Sequence, residues 1–188
     1  RREGQLRQTL EAPADRRITA IETAGVGESV VVGLDDGTCL LRRGPGSGTA
    51  RVDCDFDRVA DLDLQPAADT FCAAGRGGRV SLFSPLDSPK GRDLLQDAGE
   101  ILAVALSSSA ELVAVVTTAG ELTIYHATIG QPVTELGDIG EPPRALFFDP
   151  NDDLRALRID DGEIVVWDCI RDAELTRITT RVPAEAVH

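Results

Sequence analysis

A chain of 188 residues is long enough to bury a sizeable core in one domain or two small ones. Its 10 Pro, 18 Gly and 4% aromatic content suit many short strands joined by turns. The net charge of −13, from 32 acidic and 19 basic residues, repels phosphate backbones and anionic lipid surfaces, which argues against nucleic acid and membrane as partners.

No apolar run approaches the ~20 residues needed to cross a bilayer, and the first residues do not resemble the core of a signal peptide. The sequence contains no Met, so residue 1 is not a natural translation start. The expectation is a piece, or a processed form, of a longer polypeptide. Cys39, Cys54, Cys72 and Cys169 form no CxxC pair and match no zinc spacing. All four are read as reduced thiols of an intracellular, cytoplasmic protein, with Cys39 and Cys72 acting as small apolar residues inside strands.

In chain order, Leu6–Leu10 is the first stretch read as a strand. Four units of four strands follow. The first predicts strands at Ile18–Glu22, Ser29–Leu34, Thr38–Arg42 and Thr49–Cys54. The second predicts Val59–Leu64, Thr70–Gly75, Arg79–Phe83 and Asp93–Gln96. The third gives Ile101–Leu106, Leu112–Val116, Glu121–Tyr125 and Val133–Leu136. The fourth gives Arg144–Phe148, Leu154–Ile159, Glu163–Trp167 and Leu175–Ile178, with a frayed tail expected after Val182. Near-continuous apolar runs such as Val30-Val31-Val32 and Val113-Ala114-Val115-Val116 suit strands covered on both faces. Turn chemistry fills the gaps, as in Asp149-Pro150-Asn151-Asp152. Helical periodicity is absent, so the predicted class is all-β.

The units repeat. Hairpin glycines Gly37, Gly78, Gly120 and Gly162 are spaced by 41, 42 and 42 residues, and five positions after each come Arg42, Phe83, Tyr125 and Trp167. The last hairpin, Leu154–Asp168, is the clearest. Two β-rich runs flank Asp160-Asp161-Gly162, a turn signal that needs positive φ, and end in the chain's single Trp followed by Asp168.

A period of ~40–45 residues with a hairpin closing on Trp-Asp resembles the WD40 repeat. The resemblance implies four-stranded antiparallel β-propeller blades and a partial or open ring. Residues 1–16 would be the terminal strand of a preceding blade plus linker. Residues 17–57, 58–99, 100–141 and 142–180 would be the blades, and 181–188 a tail. Propellers have ~4–8 blades, and WD40 rings typically more than four. The missing blades would lie upstream in the same polypeptide, in another chain, or in a second copy that closes an eight-bladed ring. An arc of this kind exposes sheet faces that need covering.

The sequence departs from the family in two ways. No Gly-His precedes any unit, and the turn Asp, kept as Asp36 and Asp161, is Gly77 and Ala119 in the other two. Apolar packing is therefore expected to hold the blades together.

No catalytic, cofactor or metal site is nominated. His126 and His188 are the only imidazoles, and His126 follows the aromatic end of a strand, in loop position. Ser107-Ser108-Ser109 has no GxSxG elbow. The acidic runs Asp149–Asp153 and Asp160-Asp161-Gly162 lack EF-hand order. Gly75-Arg76-Gly77-Gly78 lacks the Lys-Ser/Thr ending of a phosphate loop. Each falls where a blade turn is required.

One constellation remains. In a propeller the d–a and b–c loops share a rim, which here would collect Asp15, Asp35, Asp36, Asp55, Asp57, Asp97, Asp138, Asp160 and Asp161, with Glu100 and Glu141, against Arg16, Arg17 and Arg76 as the main basic residues. The opposite rim carries Arg42, Arg43, Lys90, Arg92 and Arg171. A focused negative rim speeds encounter with a basic peptide or protein surface. The expected function is a non-catalytic protein-interaction scaffold or sensor module in a larger intracellular protein or complex. The alternative is the regulatory or substrate-recognition part of an enzyme whose catalytic residues lie outside this segment.

Overall fold

The computed structural model describes residues 10–24, 29–44, 46–84, 88, 90–140 and 142–179. Most of the expected Leu6–Leu10 strand, the tail from 181, His188 and Glu141 lie outside the described residues.

Among the described residues sixteen strands form four antiparallel sheets, each built from four consecutive strands in sequence order. The first sheet holds β1 (Ile18–Ala24), β2 (Ser29–Leu34), β3 (Thr38–Arg42) and β4 (Ala50–Asp53). The second holds β5 (Val59–Gln65), β6 (Thr70–Gly75), β7 (Val80–Phe83) and β8 (Arg92–Leu95). The third holds β9 (Ile101–Leu106), β10 (Leu112–Thr117), β11 (Glu121–His126) and β12 (Pro132–Asp138). The fourth holds β13 (Ala145–Phe148), β14 (Leu154–Asp160), β15 (Glu163–Asp168) and β16 (Ala173–Ile178). All sixteen expected strands are present, with ends shifted by up to two residues. One 3₁₀ turn, Pro66–Ala68, is the sole helical element among the described residues. None of it is long and apolar enough to cross a membrane.

Side-chain alternation explains why the sheets stack. Along β6, Phe71 and Ala73 point to one side and join Val31, Leu41 and Val52 of the first sheet. Cys72 and Ala74 point to the other and join Val104, Val113 and Val115 of the third. Both faces are covered, which is why strand b of the second sheet is buried throughout. The contact between third and fourth sheets is built from small residues, Ala103, Ala105, Ala114 and Ala156, with Leu122, Ile124, Leu146 and Leu154 filling the gaps. The first strands β1, β5, β9 and β13 are neighbours from sheet to sheet. Four sheets stacked face to face with their first strands gathered on one side are consecutive blades of a β-propeller.

The repeated aromatic position packs rather than projects. Phe83 stacks on Phe71 with centroids 4.4 Å apart. Trp167 packs against the cluster between third and fourth sheets, with Arg158 over its ring at 4.6 Å and its Nε1 donating to Asp172 at 3.1 Å. All four cysteines are buried free thiols.

Candidate functional site: one loop end and an inward cleft

In the first three sheets the b–c turns are residues 35–37, 76–78 and 118–120. Each is a turn whose glycine N–H donates back three residues, to Leu34, Gly75 and Thr117, and whose glycine then takes positive φ. That is the three-residue hairpin with a bulge at glycine. Each turn backs onto the connector leaving its own sheet. Cys54 N–H donates to Gly37 O, Ala98 N–H to Gly78 O, and Ile139 N–H to Gly120 O. The approach is close enough that a Cβ on Gly37 would meet Phe56 O at 1.7 Å. In the fourth sheet Arg158 Nη2 donates to Ile139 O and Arg144 N–H to Leu157 O, so the Asp161 turn lies at the connector end too. The b–c turns and d–a connectors therefore share one end of their sheets.

The nine aspartates expected there differ in what they meet. Asp36 receives the Thr38 hydroxyl at 2.6 Å and N–H at 3.1 Å, and pairs with Arg16 at 3.0 Å and Arg51 at 3.1 Å. The Thr38 hydroxyl leads these contacts in holding its carboxyl below the usual range. Asp55 pairs with Arg79 at 2.9 Å, and Asp160 with Arg177 at 2.9 Å. Asp15 lies 3.8 Å from Arg16, and Asp35 accepts the Arg17 N–H at 3.0 Å. Asp138 accepts the Gly140 N–H at 2.8 Å. Asp57, Asp97 and Asp161 are exposed, and no ion pair among the described residues engages them. The basic residues at this end extend beyond Arg16, Arg17 and Arg76. Arg51, Arg79 and Arg177 reach it from strand positions and pair with the acids there.

A second acidic feature was not foreseen. A cleft of about 330 Å³ on the side where the first strands gather is lined by Glu22, Asp61, Asp63, Val104, Arg144 and Phe147 among others. Asp61 accepts Val104 N–H at 2.9 Å and Asp63 accepts Leu106 N–H at 2.6 Å, while Gln65 Nε2 donates to Leu106 O at 3.1 Å. Three alternate residues of β5 thus satisfy the open backbone edge of β9 in the next sheet. Burial pushes Asp61 up to about 6, against the pull of those N–H groups. Burial likewise raises Asp63, and raises Glu22 with help from the Asp63 charge. The alternation Val59-x-Asp61-x-Asp63 was visible, but not the edge it serves.

The opposite end holds a buried charge network. Arg155 pairs with Asp168 at 2.6 Å, Asp153 at 2.7 Å and Asp149 at 2.9 Å, and Asp168, fully buried, also meets Arg171 at 2.6 Å. Burial alone would raise the Asp168 carboxyl. The Arg171 N–H and guanidinium, the Arg155 charge and the Ile170 N–H outweigh it and bring it down to about 2. These groups pair with one another by charge, and Arg155 Nη1 meets Asp168 as an ion pair without a hydrogen bond. Asp149 also accepts from the N–H groups of Asn151 and Asp153, so the acidic run is turn and anchor at once. His126, expected in a loop, is the last residue of β11 and its Nδ1 accepts the Thr128 N–H, while Ser107 Oγ accepts the Leu112 N–H at the start of β10. Among the described residues no group of three or more His, Cys, Asp and Glu is placed to hold a metal ion.

No family model matches this chain, and no curated protein does. Solved structures match in number: 1223 chains do, so the shape is a common one and says little about a particular role. One, from the crystal structure of a mitotic checkpoint complex, aligns with a TM-score of 0.68 at 15% identity, covering 89% of this chain and 52% of that one. The chain thus spans about half the length of the chain it matches. At this identity the likeness is one of fold.

Proposed function

We propose that the chain is a stretch of WD40-like blades that serves, without catalysing a reaction, as a protein-interaction module of a larger cytoplasmic protein or complex. The partner presents a basic surface and docks on the end formed by the b–c turns and d–a connectors. The observation that carries this reading is that Asp57, Asp97 and Asp161, exposed and outside ion pairs among the described residues, lie at the same loop end of the first, second and fourth sheets. Charges spread over more than a hundred residues of sequence act together there, and such a field steers cationic partners.

Further blades, in the same polypeptide or another, stack on the two end sheets. The fourth sheet supports this with Leu157, Ile159, Ile164, Val166 and Ile178 on its outer face; Ile159 is 47% and Ile178 50% exposed. On the first sheet, Leu10 and Ala12 already pack over Val32, Leu34 and Leu40.

The test is calorimetric titration with an arginine-rich peptide at about 50 mM and about 200 mM salt. The triple variant Asp57→Lys, Asp97→Lys, Asp161→Lys binds at least about tenfold more weakly and with a flatter salt dependence. Equal affinity and equal salt dependence in the variant refute the docking end.

A further inference from the structure

We propose that Cys39 and Cys54 form a modification site, a dithiol that a hydroperoxide closes to an intrachain disulfide. The two thiols touch: the Cys54 S–H donates to Cys39 Sγ at 3.4 Å. No other thiol–thiol contact exists among the described residues, and Cys72 and Cys169 are buried singly in other sheets. Cys39 is the second residue of β3, and Cys54 directly follows β4, the edge strand paired with it. A disulfide needs its sulfurs about 2.05 Å apart. The pair must close by roughly 1.4 Å, and the short outer strand β4 can supply that movement.

The two cysteines differ in access. Cys54 lines a cavity of about 250 Å³ with Arg79, Ser81, Phe83, Lys90 and Asp93. Cys39 does not line it and is 0% exposed. Contact with the neighbouring Cys54 thiol and burial hold the Cys39 thiol well above the usual thiol range. Cys54 therefore meets the oxidant and Cys39 resolves it. In the first step Cys54 gives up its proton as its sulfur attacks one peroxide oxygen, and the departing hydroxide takes that proton as the first water. The O–O bond breaks and an S–O bond forms. In the second, Cys39 Sγ attacks Cys54 Sγ. The S–S bond forms, the S–O bond breaks, and the departing hydroxide takes the Cys39 proton as water. Overall two thiols and hydrogen peroxide give a disulfide and two waters, with both sulfurs oxidised and the peroxide reduced.

The experiment treats the folded chain with hydrogen peroxide, blocks remaining thiols with an alkylating agent, and maps peptides without reduction. The expected product is one cross-linked pair containing Cys39 and Cys54, lighter by two hydrogens and reopened by dithiothreitol, with Cys72 and Cys169 alkylated. Cys39→Ala leaves Cys54 as a sulfenic acid that dimedone traps, whereas Cys54→Ala leaves Cys39 reduced. Wild-type mapping is decisive by itself. If Cys72 or Cys169 oxidises first, or the Cys39 and Cys54 peptides remain separately alkylated, the proposal fails.

Discussion

The third and fourth sheets carry turn glycines 42 residues apart, yet their hairpins are built differently. In the third sheet Val116 pairs with Leu122, and the turn at 118–120 has positive φ at Gly120 alone. In the fourth, Asp160 pairs with Glu163 directly across Asp161 and Gly162, whose φ values are 48° and 79°. That is a two-residue turn, which needs positive φ at both positions. One residue has moved from the turn into strand b. Because side chains alternate, the shift reverses the faces of β14. Ala114 and Val116 face the following sheet, whereas Leu154 and Ala156 face the preceding one. Leu157 and Ile159 then join Ile164 and Val166 on the outer face. Arg155, opposite Asp168, lands on that face as well and is buried by its ion pairs. A repeat in sequence counts residues, and it does not count which way they point.

The largest expected effect tests the network that only the fourth sheet has. Asp168→Asn removes one partner of a buried pair and should cost about 3–5 kcal/mol in urea unfolding. The acid response follows from the sign of the shift. The folded carboxyl lies at about 2 against an ordinary 3.8, so its stabilisation is complete above 3.8 and is lost as pH falls towards 2. The variant should lack that part of the acid transition.

A smaller effect separates covered from open faces. Leu122→Ala, at a site with 0% exposure, should cost about 2–5 kcal/mol, whereas Ile178→Ala, half exposed on the outer face, should cost under about 1 kcal/mol. Equal costs would mean that the two faces are covered alike.

The smallest effect belongs to the β5–β9 edge, where raised rather than lowered carboxyls are found. Asp61 has a folded value of about 6, above its ordinary 3.8, so its contribution is present below 3.8 and is lost as pH rises through 6. Asp61→Asn keeps an oxygen for the Val104 N–H and removes that loss. Its thermal midpoint should gain on wild type as pH rises from 4 to 8, and a variant that falls further behind over that range contradicts the assignment.

Much of this was legible in the chain. Short apolar runs between turn residues gave the position of every strand, because a strand's alternation and its bounding Gly, Asn and Asp are local properties. The shared end of Asp57, Asp97 and Asp161 is what the resemblance to propeller blades implies. Three things could not be read. Asp61 and Asp63 act on N–H groups 43 residues downstream, and nothing near them signals an unpaired strand edge. Arg51, Arg79 and Arg177 lie in or beside strands, and their pairing with rim aspartates depends on side-chain reach. The face reversal of β14 leaves one mark in the sequence, Arg155 beside apolar residues, and nothing near it points to Asp168, 13 residues on, as its partner.

The pairing of β14 with β15 is the most direct measurement, because it fixes both the reversed face and the position of the Asp161 turn. Interstrand backbone proton contacts measured by NMR should connect Leu157 with Val166 and Ile159 with Ile164. Contacts of Leu157 with Val165 and Ile159 with Glu163, the register of the third sheet carried over, would contradict the account.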